Sequence, residues 1–385
     1  MDHLETSINV LSDLIAFPTV STDSNLAIID YLADRLTAVG AEVTRYHDAS
    51  GGKANLYATL GPERAGGILL AGHTDVVPVT EQRWSSDPFE MISDKGRLYG
   101  RGTCDMKGFI AACIALAPAF ARSATRRPVH FAFTYDEETG CLGAADLAQH
   151  LAARDDRPSL AIIGEPTSMR LIEGHKGCCE YSTHFTGREG HGSQPELGVN
   201  AVEYAVRYIN RLMDLRADLQ SRAPKNSTFD PPYSTINVGA LHGGIAHNVI
   251  PGLATVDWET RPVQPGDLAH VKTTMQRYCD DVLLPQMQAV WSGADIVTET
   301  IGETVGLAPM TDNEARDLVM ELTGTNGTDV VSFGTEAGIF QSLGMAALVC
   351  GPGSIEQAHK PDEYIEISQL SSCVDMLERL SARLG

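Results

Sequence analysis

Side chains able to hold a metal ion or move a proton stand where the apolar runs of this chain end. They are His73 and Asp75 in GHTDVV, Asp105 in GRGTCDMKG, Glu137 and Glu138 in YDEETG, Glu165 in IGEP and His359 in QAHKPDE. The set offers imidazoles and carboxylates without a thiolate, the donor palette of a zinc hydrolase that keeps coordination positions open. An aspartate can bridge two ions through its two oxygens. His73 with one carboxylate, and His359 with another, would complete two equivalent half-sites around Asp105, the ions about 3.5–4 Å apart. Of the neighbours Glu137 and Glu138, which point different ways from an extended turn, one can ligate while the other stays free as a general base. A strand turns residues two apart to the same side. Asp75 is therefore expected to accept the second N–H of His73 and fix its tautomer. Taken singly, each residue reads as a cap, a turn residue or an ion-pair partner. Together, with a spare base, they point to a metal centre.

The elements that must position them are legible from periodicity. Residues 25–40, NLAIIDYLADRLTAVG, keep a helical period that closes at Gly40. AEVTRYH and NLYATLG read as short strands, GGILLAGHTDVVPV as a long buried one, and ISDKGRLYGRG as a hairpin. MKGFIAACIALAPAFA is a continuously apolar helix; PVHFAFTYDEE and SLAIIGEP are apolar strands with acidic carboxyl ends. Such alternation predicts an α/β sheet covered on both faces, in which ligands bind at the carboxyl ends of strands. Near residue 178 the texture changes: alternating strands and amphipathic helices follow in β-α-β-β-α order within about 110 residues, the pattern of a separate α+β module. AALVCGPG and the last helix resume the first pattern. The expected organisation is a catalytic domain of residues 1–176 and 288–385 interrupted by an inserted domain of residues 177–287.

Composition narrows the partners. The 385 residues are 43% hydrophobic and 21% charged, ordinary for a globular chain, and long enough for two domains. A formal charge of −21, from 50 acids against 29 bases, argues against nucleic acid or an anionic membrane as partner. No apolar run reaches the 18 or so residues of a membrane span. The N-terminal MDHLETSINVLSDLIAF reads as a folded amphipathic helix rather than an export signal. The eight cysteines lack paired spacing, which fits reduced cytosolic thiols and a cytoplasmic location.

These segments resemble the M20 family of co-catalytic metallopeptidases and amidohydrolases. The resemblance spans essentially the whole chain and rests on GHTDVVP, GRGTCDMKG, DEETG, GEPT, STINVGALHGGIAHNVIPG, GTEAGIF and GPGSIEQAHKPDEY. It implies a zinc-peptidase-like α/β catalytic domain, a mixed sheet flanked by helices, with the smaller inserted α+β domain acting as lid and dimerisation surface. Position by position it implies two divalent ions, Zn2+ or Co2+. His73 and Glu165 would hold one, His359 and Glu138 the other, and Asp105 would bridge them. Glu137 matches the general base, Asp75 the orienting carboxylate, and the peptide after Asp105 is expected to be cis. His191, in GREGHGSQP, corresponds to a histidine that polarises the scissile carbonyl, in many relatives from the partner subunit, so a homodimer is expected. Read without the resemblance, the same stretch is a polar loop with His191 exposed.

By the same resemblance Asn248 contacts substrate, Arg261 grips its carboxylate, and Gly334 and Thr335 form a substrate-binding turn. A surface ion pair is the plainer reading of Arg261. GREGHGSQP departs from the commoner form with two small hydroxyl residues after the histidine. Cys104 beside Asp105 is either an oxidisable soft donor or packing, and Glu336 either faces a cationic side chain or caps a helix. The implied reaction is hydrolysis of the amide of a small N-acyl amino acid, first N2-acetyl-L-ornithine to L-ornithine and acetate in arginine biosynthesis. N-succinyl-diaminopimelate, other N-acyl amino acids and dipeptides are the alternatives. A non-catalytic binding protein that kept the cleft would lack a ligand or the base, and here none is missing.

Overall fold

Strands that are apolar on both faces need cover on both faces, and the sequence supplies it with helices before, between and after them. A computed structural model describes residues 2–264 and 266–385. The described residues form two compact units, Met1–His175 with Leu307–Val331 and Thr335–Gly385, and Lys176–Gly306 with Ser332–Gly334.

The first unit begins with α1 (His3–Ile15), α2 (Leu26–Thr37), β1 (Glu42–His47), β2 (Ala54–Leu60), β3 (Ile68–His73) and the hairpin β4 (Ile92–Asp94) and β5 (Arg97–Tyr99). It continues through α3 (Lys107–Ser123), β6 (Val129–Thr134), α4 (Leu142–Ala152), β7 (Leu160–Pro166) and β8 (Leu171–His175). The second unit holds β9 (Cys178–Thr186), β10 (Gly190–His191), α5 (Ala201–Ser221), β11 (Thr235–Gly243), β12 (Val249–Ile250), β13 (Leu253–Arg261), α6 (Asp267–Tyr278), α7 (Leu284–Val290) and β14 (Asp295–Thr304). The chain then completes the first unit with α8 (Glu314–Thr323), β15 (Thr328–Val331), α9 (Ala337–Ser342), β16 (Ala346–Gly351), β17 (Tyr364–Glu366) and α10 (Ile367–Ser381).

The main sheet of the first unit has the order β1-β2-β6-β3-β7-β16-β8-β15. At its centre β6, β3, β7 and β16 run parallel, so their carboxyl ends share one edge. Side chains alternate between the two covers. Ile68 and Leu70 of β3 join the core of α1, α2, α3, α8 and α10, while Leu69 and Ala71 join that of α4 and α9. At about 25 cal/mol per Å² of apolar surface removed from water, these two layers supply the dominant stabilisation of the unit. Gly164, one residue before Glu165, has no alternative: a Cβ there would fall 1.9 Å from the ring of Phe109 on α3.

The second unit is a four-stranded antiparallel sheet, β11-β13-β9-β14, with its core against α5 and α6. The insertion boundary expected at residue 287 falls inside this unit. β14 pairs with β9 along its length, and the unit continues to Gly306. The signal was missed because β14, DIVTETIGET, is mostly exposed and carries little apolar alternation. No helix among the described residues is long and apolar enough to cross a membrane.

Candidate metal centre

The four parallel strands end together, and the loops leaving them carry the polar residues. His73 is the last residue of β3, Glu165 lies in β7, Glu137 and Glu138 follow β6, and His359 follows β16. Asp105 sits between β5 and α3, and its peptide to Met106 is cis, as expected. Asp105 faces an imidazole with each oxygen: Oδ1 is 3.1 Å from His73 Nε2, and Oδ2 is 3.4 Å from His359 Nε2. His359 Nε2 also meets Glu138 at 3.1 Å, and His73 Nε2 lies 3.8 Å from Glu165 Oε1. The ligand atoms of His73, Asp105 and Glu138 lie within 4.8 Å of one another, as do those of His73, Glu137 and Glu165. All of the carboxylates and imidazoles read from the sequence as a metal centre therefore meet in one place within the first unit.

The electrostatics favour cations there. Four carboxylates stand against two imidazoles. Burial works against the charge of Asp105, yet the bonds from His359 and His73 hold it below the usual carboxylate range. Burial likewise opposes a charged His73, but Asp105 and Asp75 lift its pKa well above the ordinary value. Bonds to Asp105 and Glu138 push His359 up to about 10. Glu165 rises well above the carboxylate range through burial and the charge of Asp105, and Glu138 rises for the same reasons. Glu165 Oε1 is buried and has no hydrogen-bond partner, a costly state unless a cation takes that lone pair. The donor set, oxygen and imidazole around a two-sided aspartate, fits two divalent ions.

Glu137 lies with His73 and Glu165 and keeps part of its surface open. The dense surroundings nonetheless push its carboxyl up to about 8, burial first. The thiol of Cys141, at the start of α4, donates to Glu137 Oε1 at 3.4 Å. A carboxylate raised toward neutrality beside a metal pocket is suited to accepting and returning a proton.

Asp75 faces His73 and does more besides. β3 ends at His73, so the two residues are not strand neighbours on one side. His73 Nδ1 lies 3.0 Å from the backbone carbonyl of Asp75 and 3.5 Å from its carboxylate. The carboxylate also accepts from the backbone amides of Glu137 at 3.1 Å and Glu138 at 3.3 Å, and from Ser21 Oγ at 2.7 Å. It thus fixes the imidazole with its main chain and the acidic turn with its side chain.

Other expectations divide. Cys104 is buried, donates to the Ser354 carbonyl at 3.2 Å and packs against Gly353; burial raises its pKa far out of the thiolate range, so it is packing. Glu336 is fully buried and neither faces solvent nor caps α9 with its side chain. Its Oε2 accepts from Thr134 Oγ1 at 2.8 Å, and burial pushes it up to about 7. Thr335 is buried as well, its hydroxyl 3.0 Å from His175 Nε2 and accepting from the Ala337 amide.

In the second unit, β10 and β12 form a two-stranded ribbon that pairs His191 with Val249, next to Asn248. His191 is exposed. Its Nδ1 accepts from the Ser193 amide at 3.2 Å and lies 2.7 Å from Ser193 Oγ, leaving Nε2 to carry the proton. The amide of Gly192 donates to the Asn248 carbonyl, and a Cβ on Gly192 would come within 3.1 Å of that backbone. Glycine therefore fits the close approach at residue 192. Arg261 directs its fork at Glu259, at 2.9 and 3.2 Å, and one further nitrogen to the Ser332 carbonyl; the ion-pair reading is realised. Gly334 lies beside Cys178.

Residues that sequence reasoning passed over include Ser21, Cys141, Gln82, Arg101 and Glu363. The last two lie inside the quoted motifs, as polar residues flanking ligands, which was the available signal.

Oxygen and imidazole donors at strand ends, with a proton acceptor beside them, serve the attack of water on an acyl group. By class the protein is a metal-dependent hydrolase. The family model described as Peptidase family M20/M25/M40 matches residues 69–383, and the chain belongs to that family. It is 39% identical, over 98% of its length and 96% of the relative's, to an acetylornithine deacetylase of Proteus mirabilis (strain HI4320). It is 36% identical, over 99% of its length and 98% of the relative's, to an acetylornithine deacetylase of Pasteurella multocida (strain Pm70). Among solved structures, an M20 family metallo-carboxypeptidase from Sulfolobus solfataricus shares the fold with a TM-score of 0.77 at 17% identity, over 98% of this chain and 99% of that one. A dinuclear metal binding peptidase of the family from Bacillus subtilis does so with a TM-score of 0.63 at 16% identity, over 98% of this chain and 97% of that one.

Proposed function

We propose that this protein hydrolyses the amide bond of N2-acetyl-L-ornithine to L-ornithine and acetate, in the cytoplasm, as a step of arginine biosynthesis. The observation that carries the hydrolytic reading is Asp105, with an imidazole on each oxygen and a spare glutamate beside the pair. The choice of substrate rests on the full-length likeness to acetylornithine deacetylases.

In this reading His73 and Glu165 hold one divalent ion, His359 and Glu138 a second, and Asp105 both; zinc or cobalt suits the donors. Bound there, the ions supply Lewis acidity for the acyl carbonyl and for water. Glu137 takes the proton of the attacking water and returns it to the departing α-amine. Asp75, through the amides of Glu137 and Glu138, keeps base and ligand in register. His191 donates its Nε2–H to the oxygen that gains charge, an interaction of the kind worth a few kcal/mol. Asn248 and Arg261 bind the substrate's carboxylate end, which requires Arg261 to share or release Glu259; Gly334 and Thr335 line the adjacent turn. The second unit serves as lid and dimerisation surface, with His191 supplied across a homodimer.

The test is a panel assay on purified protein with Zn2+ or Co2+ added. N-acetylornithine is expected to exceed N-succinyl-diaminopimelate, acetylated apolar amino acids and dipeptides in kcat/KM by about tenfold or more. Faster turnover of a succinylated or dipeptide substrate would contradict the proposed specificity.

A further inference from the structure

The motifs that carry the metal ligands contain a fully buried ion pair that no step above uses. Arg101 and Glu363 are each 1% exposed and pair at 2.8 Å. A buried ion pair is costly unless further hydrogen bonds take up its remaining donors and acceptors; in this one only Arg101 Nε goes without. Here the carboxylate of Glu363 is fully committed. Its Oε1 accepts from the amides of Cys104 at 2.8 Å and Asp105 at 3.1 Å, and its Oε2 from Arg101 Nη1 and from the amide of Gly102 at 3.1 Å. The loop bearing the bridging aspartate is thus wrapped around one carboxylate, and that carboxylate lies four residues after His359.

The guanidinium closes the other side. Arg101 Nη1 also reaches the Lys360 carbonyl at 3.3 Å, and Nη2 donates to Gln82 Oε1 at 2.6 Å, with the group over the Trp84 ring. Gln82 in turn donates its Nε2–H to the carbonyl of His359 at 2.9 Å. His359 has a φ of 62°, a left-handed conformation that a residue with a side chain keeps only when its surroundings hold it.

We propose that Glu363, Arg101 and Gln82 form a positioning clamp that sets Asp105 and His359 at a fixed mutual spacing, so that both half-sites of the metal centre close together. None of the three touches the reacting atoms; they act through the ligands they hold. The inference rests on the metal-centre reading given above.

The test uses the full-length protein and Co2+ as probe, with dissociation constants from chelator competition and the visible absorption of the cobalt-loaded protein. Glu363→Gln, which sets an amide NH2 against two of the donors that the carboxylate now accepts, is expected to weaken Co2+ binding about 10- to 100-fold and to shift the cobalt bands at saturation. Gln82→Ala removes one amide at a partly exposed position, so it decides the matter if Glu363→Gln does not fold. It is expected to weaken the ion at His359 about tenfold and the other ion along with it. Variants that bind two ions with wild-type constants and wild-type bands, whatever their melting temperature, would overturn the clamp alone. A wild-type protein that takes up no cobalt would overturn the metal-centre reading and the clamp with it.

Discussion

Glu137→Gln is expected to lower kcat by about 10²–10⁴-fold, the range that a positioned general base contributes, while two ions per chain are retained. The substitution keeps size and shape. The amide of residue 137 still donates to Asp75 Oδ1, so the acidic turn and Glu138 stay in place. What is lost is the one carboxylate whose burial pushes it up to about 8 and which the resemblance leaves unligated. Steady-state kinetics with elemental analysis of the same preparation checks both halves. Turnover within tenfold of the parent, or loss of an ion alongside the turnover, would place the base elsewhere or make Glu137 a ligand.

Asp105→Asn should be more severe, with turnover reduced by more than about 10⁴-fold because the metal and general-base contributions fall together. Asp105 offers a separate anionic oxygen to each side, 3.1 Å from His73 and 3.4 Å from His359. Asparagine retains one neutral oxygen and turns an N–H group toward the other side, so at most one half-site survives. Equilibrium dialysis against Zn2+ is expected to show loss of at least one ion and weakened binding of the other. Two tightly held ions in this variant would mean that Asp105 does not bridge.

Some of the candidate ligands were legible from a local event: an apolar strand stops and polar residues appear where the sheet ends. His73, Glu165 and the 137–138 pair all obey that rule. What was not legible depends on partners far away in sequence. The Asp75 carboxylate also holds the Glu137 amide 62 residues away, and nothing in GHTDVV announces that further partner. Glu363 reaches the Asp105 amide across 258 residues. In the fold, the apolar strands announced the main sheet, whereas β14 is placed in the second unit by its pairing with β9, which its own sequence does not announce. Glu336 reads as a helix cap from its position, yet its environment is a buried one that its neighbours in GTEAGIF do not reveal.

The most direct measurement is anomalous diffraction at the zinc edge from crystals of the protein grown with Zn2+. Two peaks are predicted, one between His73 and Glu165, the other between His359 and Glu138, with Asp105 touching both. A single peak that Asp105 does not share, or no peak among these side chains, would contradict the dinuclear hydrolase described here.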